Sequence, residues 1–265
     1  MSTTVSADPT SVIDVAGEPT TLRRAGSGRS VLFLHGAFFP TRWLPFHERL
    51  AGSYDLVAPL HPGYAEGHPP DWLRGFDDLV LHYRSLLDTL ELEQVDLVGY
   101  DLGGWIAAQL ATFHPERIRT FTVIAPSGLR IADAPMFEFL CADPGRLERA
   151  LFGGPAGEHA HFFAPPTDIE AFTDAYGENG VTARLVWERR YDIGLDRRIG
   201  RIDVPALVVT PEHDQLIPNA HATRWAELLP QGRLSEVDGV GHALIVQAPD
   251  RVADLVTSFI EEVAV

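Results

Sequence analysis

One aspartate, Asp101, lies between glycines at a point where the chain is expected to turn sharply. The segment 99–104 has the sequence Gly-Tyr-Asp-Leu-Gly-Gly, and its glycines permit close packing and an unusual backbone conformation at the residue between them. A carboxylate is anionic at neutral pH, so it can attack carbon without a base to deprotonate it. Attack on a saturated carbon leaves an ester that water can open. Asp101 therefore favours alkyl transfer over acyl transfer.

Two further residues could complete a catalytic triad with Asp101. Asp214 follows the apolar run 205–211, and His242 lies in a Val-Gly-His-Ala segment near the end of the chain. In this interpretation Asp101 forms the ester, and His242, oriented by Asp214, deprotonates the water that hydrolyses it. Glu212, two residues before Asp214, is the alternative acid.

The segments around these residues alternate between two patterns. Short, apolar, β-branched runs predict strands, and longer stretches with helical periodicity predict helices between them. This alternation predicts an α/β protein with a mostly parallel sheet covered on both faces. The predicted strands are 12–15, 20–24, 31–34, 56–60, 95–98, 120–124, 206–209 and 233–237, and the predicted helices are 76–90, 104–113, 220–229 and 251–262.

Five motifs, in this order along the chain, resemble those of the α/β-hydrolase superfamily. They are a His-Gly loop at 34–38, a His-Pro-Gly-Tyr loop at 61–64, the elbow at 99–103, Asp214 and His242. The resemblance extends from about residue 31 to the end of the chain. It implies an α/β-hydrolase fold with an eight-stranded, mostly parallel sheet and an inserted helical cap.

The resemblance also assigns parts of the chain to the core, the cap and the oxyanion hole. Residues 1–130 and 204–265 would form the hydrolase core, and residues 131–203 the cap. The backbone N–H groups of Leu102 and of Ala37 or Phe38 would form an oxyanion hole.

Within this superfamily, an aspartate nucleophile is associated with epoxide hydrolases and dehalogenases. Residues 104–108 and 125–130, in contrast, resemble serine esterases and carbon–carbon bond hydrolases. Three functions therefore remain open. The first is an Asp-nucleophile hydrolase of an epoxide or organohalide, the second an esterase, lactonase or carbon–carbon hydrolase, and the third a catalytically silent binding protein, natural or with serine replaced by design.

The predicted cap is rich in aromatic residues that could line a pocket for a small apolar substrate. The hydroxyl of Tyr176 or Tyr191 could donate a proton to an opening epoxide, and the indole N–H of Trp187 could contact a leaving halide. The further aromatic candidates are Phe137, Phe139, Phe162 and Phe163.

The composition narrows the range of partners. The chain has 265 residues and a net charge of −16, and an acidic surface disfavours nucleic acid and anionic membranes. Cys141 is the only cysteine, so no intramolecular disulfide can form. Neither a signal peptide nor a membrane span is evident, and no motif indicates a metal or cofactor. We expect a cytoplasmic monomer or homodimer that acts on a small organic molecule and water.

Overall fold

A single eight-stranded sheet forms the centre of the molecule in the computed structural model, which describes residues 9–65, 67–162, 169–188 and 190–264. Its strands are β1 (Thr10–Val15), β2 (Glu18–Ala25), β3 (Ser30–Leu34), β4 (Asp55–Pro59), β5 (Val95–Tyr100), β6 (Ile118–Ile124), β7 (Ala206–Pro211) and β8 (Gly232–Val237). Their order in the sheet is β1-β2-β4-β3-β5-β6-β7-β8. β1 and β2 form an antiparallel hairpin at one edge, and the six strands β3 to β8 are parallel. The predicted α/β-hydrolase fold is confirmed.

Both faces of the parallel sheet are buried, so its strands are apolar throughout rather than alternating with polar residues. In β3, Leu32 and Leu34 contribute to the core on one face, whereas Val31 and Phe33 contribute to the core on the other. This follows from the two-residue repeat of a strand. The helices are α1 (Pro45–Ala51), α2 (Phe76–Thr89), α3 (Leu102–Phe113), α4 (Pro144–Phe152), α5 (Ile169–Val186), α6 (Leu195–Ile199), α7 (Ala220–Leu228), α8 (Leu244–Gln247) and α9 (Pro249–Val263). The core on the first face includes residues of α2, α3 and α7, and the core on the second face includes residues of α1, α8 and α9.

Sequence periodicity predicted α2, α3, α7 and α9 but not α1 or α8. These two helices have seven and four residues, too few for the helical repeat to recur along the sequence. In the described part of the chain, we find no helix both long and apolar enough to cross a lipid bilayer.

The segment between β6 and β7 carries α4, a 3-10 helix (Gly157–Phe162), α5 and α6. Its α5 contacts the loop after β4, where the Tyr64 hydroxyl lies 2.6 Å from the hydroxyl of Thr182. The N–H of Phe137 donates to the carbonyl of Leu216, 2.8 Å away, in the loop that follows β7. The last helix of this segment, α6, buries Leu195 and Ile199 in the same core as α2, α3 and α7.

Three buried histidines stabilise the loops around the sheet in their neutral form. Nε2 of His35 accepts the backbone N–H of His61 at 2.9 Å, and Nδ1 of His47 accepts that of Leu44 at 2.9 Å. Burial lowers the pKa of His35 and of His47 to about 3, and it lowers the pKa of His61 well below the usual value. The folded protein therefore resists protonation at these positions.

This burial predicts a loss of stability in mild acid. The unfolded chain takes up protons at these histidines below about pH 6.5, whereas the folded chain does not, so the unfolding free energy falls as the pH decreases from there. Each such histidine contributes a slope of about 1.4 kcal/mol per pH unit. We expect His47→Gln to reduce the slope measured by urea unfolding by about this amount. The surface variant His161→Gln is the control, and equal slopes for His47→Gln and wild type would contradict the prediction.

Candidate active site

Asp101 occupies a strained turn between β5 and α3. Its backbone has φ of 50° and ψ of −115°, a conformation that costs a non-glycine residue free energy and is concentrated at functional sites. The conformation is held by the Asp101 N–H, which donates to the carbonyl of Ile124 at 2.9 Å, and by the N–H groups of Gly104 and Ser127, which donate to the Asp101 carbonyl. The side chain therefore projects from the carboxyl edge of the sheet, where ligands bind in open α/β folds.

Two glycines allow the backbone to approach Asp101 closely. A Cβ atom on Gly103 would lie 2.0 Å from the carbonyl oxygen of Leu34, and one on Gly36 would lie 2.8 Å from Oδ2 of Asp101. Neither distance is compatible with a side chain. The elbow and the His-Gly loop can meet only because both positions lack a Cβ atom.

The two oxygens of the Asp101 carboxylate have different environments. Oδ2 accepts the backbone N–H of Ala37 at 2.9 Å, and the nearby N–H of Leu102 also lowers the pKa of the carboxyl group. Oδ1 lies 3.9 Å from Nε2 of His242. Of the two N–H groups considered for the His-Gly loop, the structure places that of Ala37 against Asp101. The ring of Phe38 lies nearly perpendicular to the imidazole of His242, with centroids 6.3 Å apart.

His242 is fully buried and is oriented by Asp214. Nδ1 of His242 lies 2.9 Å from Oδ2 of Asp214, and Oδ1 of Asp214 accepts the N–H groups of Leu216 and Ile217 at 2.9 and 2.7 Å. Because the carboxylate oxygen of Asp214 is the acceptor in this contact, the hydrogen of the imidazole lies on Nδ1. Nε2 of His242 has no hydrogen-bond partner in the described part of the chain, and it points toward Oδ1 of Asp101.

The alternative acid, Glu212, lies elsewhere. Its carboxylate accepts the N–H of Gly239 at 2.8 Å and lies 3.5 Å from the imidazole of His213. The structure therefore decides between the two carboxylates, because Asp214 contacts the imidazole of His242.

Burial and charge act together on these three groups. Burial raises the pKa of Asp101, although the neighbouring His242 and the N–H groups of Ala37 and Leu102 partly oppose it. Burial lowers the pKa of His242, but the charges of Asp214 and Asp101 and the Asp214 hydrogen bond outweigh it, and the net pKa is raised. The carboxylate is therefore more basic than an exposed aspartate, and the imidazole holds a proton more tightly than an exposed histidine.

An apolar pocket of about 390 Å³, including its open mouth, lies in front of Asp101. Residues of the core line the side of the pocket nearest the sheet, and residues of the segment inserted between β6 and β7 line the opposite side. The lining side chains are Ala37, Asp101, Leu102, Trp105, Ser127, Met136, Phe137, Phe139, Thr182, Val186, Arg190, Leu216 and Ile217.

The structure corrects most of the predicted roles of the aromatic residues in this segment. Tyr176 and Trp187 are 73% and 72% exposed, and neither lines the pocket. Tyr191 lines a neighbouring cavity, where its ring lies beneath the guanidinium of Arg130. The reason is orientation, because Tyr176 lies on the solvent-facing side of α5 and Trp187 directly follows the end of that helix. Phe163 lies outside the described residues.

Other predicted aromatic residues are at or near the pocket. Phe137 and Phe139 line it, whereas Phe162 packs against Phe39. The sequence analysis missed Trp105 and Arg190. Trp105 could have been identified because it lies four residues after Asp101, on the same face of α3. No local sequence pattern around Arg190 indicated that this residue lines the pocket.

The described residues contain no group of three histidine, cysteine, aspartate or glutamate side chains able to hold a metal ion. The site is built from carboxylates, one imidazole and backbone N–H groups.

Comparison with known proteins gives consistent similarities. A model of the alpha/beta hydrolase family matches residues 31–255. The chain is 31% identical to epoxide hydrolase EphH of Mycobacterium tuberculosis, covering 68% of this chain and 92% of that protein. It is 28% identical to 2-hydroxymuconate semialdehyde hydrolase of a Pseudomonas species, covering 94% and 93%. The meta-cleavage product hydrolase CumD of Pseudomonas fluorescens, solved as a serine-to-alanine mutant with acetates, superimposes with a TM-score of 0.77 at 20% identity, covering 95% and 97%.

The contacts of Asp214 predict how His242 titrates. Replacing Asp214 by asparagine keeps an acceptor oxygen but removes the negative charge that raises the pKa of His242, so this pKa should fall when the imidazole is titrated by NMR. Glu212→Gln removes a nearby carboxylate that contacts Gly239 and His213 instead, and the His242 pKa should then stay unchanged. A fall in Glu212→Gln but not in Asp214→Asn would reverse the assignment.

Proposed function

The chain belongs to the alpha/beta hydrolase family, and we propose that it hydrolyses an electrophilic carbon compound through a covalent ester on Asp101. The observation that carries this proposal is the asymmetry of the Asp101 carboxylate. One oxygen accepts the Ala37 N–H, and the other faces His242 and the pocket. This is the arrangement that an aspartate nucleophile requires.

The same asymmetry disfavours an acyl substrate. An ester or lactone carbonyl would need the N–H groups of Ala37 and Leu102 to stabilise its oxyanion, but the Ala37 N–H already donates to the Asp101 carboxylate and the Leu102 N–H already stabilises its charge. Carboxylate attack on an acyl group would also give a reactive anhydride rather than a stable intermediate. Attack on a saturated carbon avoids both problems.

The reaction has two steps. Oδ1 of Asp101 attacks the electrophilic carbon, a carbon–oxygen bond forms, and the bond to the leaving group breaks. His242 then takes a proton from water, and the resulting hydroxide adds to Cγ of the ester. The negative charge moves to Oδ2, where the N–H groups of Ala37 and Leu102 stabilise it. Collapse releases the alcohol, which takes the proton of the new carboxyl group, and Asp101 is regenerated.

Formation of the ester changes the electrostatics of His242 in the direction that the second step needs. While Asp101 is ionised, its charge helps to raise the pKa of His242. The ester is neutral, so this contribution disappears and the pKa of His242 falls. The imidazole then loses a proton more readily and can act as the base for water.

An epoxide is the first candidate substrate. Opening its ring requires a proton donor for the departing oxygen, and the raised pKa of His242 favours an imidazolium 3.9 Å from the attacking oxygen. After donation from Nε2, His242 is neutral and ready for the second step. The similarity to EphH supports this candidate, as does the apolar pocket. Water is then the second substrate and a diol is the product.

An organohalide is the second candidate, and one observation favours it. No described tyrosine lines the pocket in front of Asp101, and halide departure needs no acid. The indole N–H of Trp105, a pocket residue that is 4% exposed, has no hydrogen-bond partner among the described residues. It could donate to a departing halide ion. His242 would then act only as the base of the second step, and its proton would pass to solvent.

The covalent step can be tested in the wild-type enzyme. In a single turnover in H₂¹⁸O, the product oxygen should come from Asp101, and the heavy oxygen should enter the Asp101 carboxylate. Peptide fragmentation mass spectrometry should locate the label at Asp101, with Asp214 as the unlabelled internal control. Heavy oxygen in the product and none in Asp101 would mean direct attack by water.

The variant His242→Gln separates the two candidate substrates. With an alkyl bromide, ester formation should proceed and hydrolysis should slow by about 10²- to 10⁴-fold, so intact-protein mass spectrometry should detect an accumulating adduct. With an epoxide, loss of the proton donor should slow ester formation as well. Asp101→Asn should give no adduct with either compound. Turnover by His242→Gln at the wild-type rate would contradict the role of this histidine.

A further inference from the structure

A second cavity lies directly beside the pocket of Asp101. It encloses about 670 Å³, including its open mouth, and Met136 and Arg190 line both spaces. The two side chains form the boundary between the cavities. The other walls of the second cavity are partly apolar, with Leu129, Ile131 and Pro135 among them.

The charge of this second cavity differs from that of the rest of the molecule. Arg130 and Arg190 line it, although the chain carries a net charge of −16. Arg190 donates to the carbonyl of Phe137 at 2.9 Å and pairs with Glu138 at 2.6 Å. Among the described residues no carboxylate pairs with Arg130, an exposed residue whose guanidinium lies 5.2 Å from the ring centroid of Tyr191. The charge of Arg190 is thus offset by Glu138, whereas that of Arg130 has no anionic partner among the described residues.

A buried histidine adds a polar group to the same cavity. His221 is 1% exposed, and its Nε2 lies 2.7 Å from the carbonyl of Ala134. Nε2 therefore carries the hydrogen, and Nδ1 is an acceptor. Nδ1 has no hydrogen-bond partner in the described part of the chain. A buried acceptor without a partner is costly. A carboxylate has no hydrogen to donate to Nδ1, but a water that donates one hydrogen to Nδ1 and the other to the carboxylate would link the two groups.

From these observations we infer that the second cavity binds a carboxylate group of the substrate, while the electrophilic carbon of the same molecule lies at Asp101. The inference rests on the proposed function, because it extends the substrate of that reaction. The guanidinium of Arg130 binds the carboxylate, an alkyl or aryl spacer passes Met136 and Arg190, and the apolar walls contact the spacer. The substrate class is a carboxylic acid with a distant epoxide or carbon–halogen bond.

The local charge distinguishes a carboxylate from a phosphate. A carboxylate carries one negative charge, which matches the single positive charge of Arg130, and its two oxygens match the planar donors of a guanidinium. A phosphate monoester carries about −1.5 to −2 at neutral pH and would leave excess negative charge in a protein that is already acidic. A neutral substrate would leave Arg130 without an anionic partner.

Matched substrate pairs test the inference. We would measure kcat/KM for terminal epoxides and terminal bromides of medium-chain carboxylic acids, in a series of increasing chain length, each beside its neutral primary amide. At the chain length that spans the two cavities, the acid should be preferred over its amide by about ten-fold or more, as expected for a hydrogen bond to a charged group. Arg130→Gln should abolish most of this preference, and Arg130→Lys should retain part of it.

A distant arginine provides the control for net charge. Arg201→Gln, on an exposed residue before β7, should keep both the activity and the acid preference. Equal rates for acids and amides at every chain length, with ester still formed on Asp101, would overturn the carboxylate site and leave the proposed function intact. The same holds if Arg130→Gln keeps the full preference. Failure of every acid and amide to form an ester on Asp101 would overturn both.

Discussion

A carboxylate buried in apolar surroundings is held in one orientation by backbone N–H groups at a strained turn, and the rest of the site depends on this contact. Burial raises the pKa of Asp101, and the N–H groups of Ala37 and Leu102 offset part of that cost. The two donors come from different segments, the His-Gly loop and the start of α3. The parallel strands β3 and β5 must therefore lie side by side, and Gly36 and Gly103 must lack side chains, for the contact to form.

The same contact makes the two carboxylate oxygens chemically different. One is held where negative charge develops during ester hydrolysis, and the other faces the imidazole of His242 and the apolar pocket. Asp214 fixes that imidazole, and two backbone N–H groups fix Asp214 in turn. The chain of contacts thus runs from the sheet edge to the reacting atom through rigid groups, which reduces the reorganisation that a reaction requires.

The inserted segment, rather than the sheet, shapes the space that a substrate would occupy. Phe137 and Phe139 contribute apolar surface above Asp101, and Arg190 lies between the pocket and the neighbouring cavity. The hydroxyl pair of Tyr64 and Thr182 and the burial of Leu195 and Ile199 hold this segment against the core. The sheet edge therefore supplies the catalytic groups, whereas the segment supplies aromatic side chains and the arginine between the two cavities.

The sequence by itself determined the α/β fold, the position of most strands and long helices, and the order of Asp101, Asp214 and His242. These features follow from local patterns, because strand periodicity and glycine spacing act over a few residues. Only the tertiary structure decided that Asp214 rather than Glu212 faces His242, and that Ala37 rather than Phe38 donates to Asp101. It also decided that Tyr176 and Trp187 face solvent while Trp105 and Arg190 line the pocket. These outcomes depend on how segments far apart in the chain pack together, which no local pattern specifies.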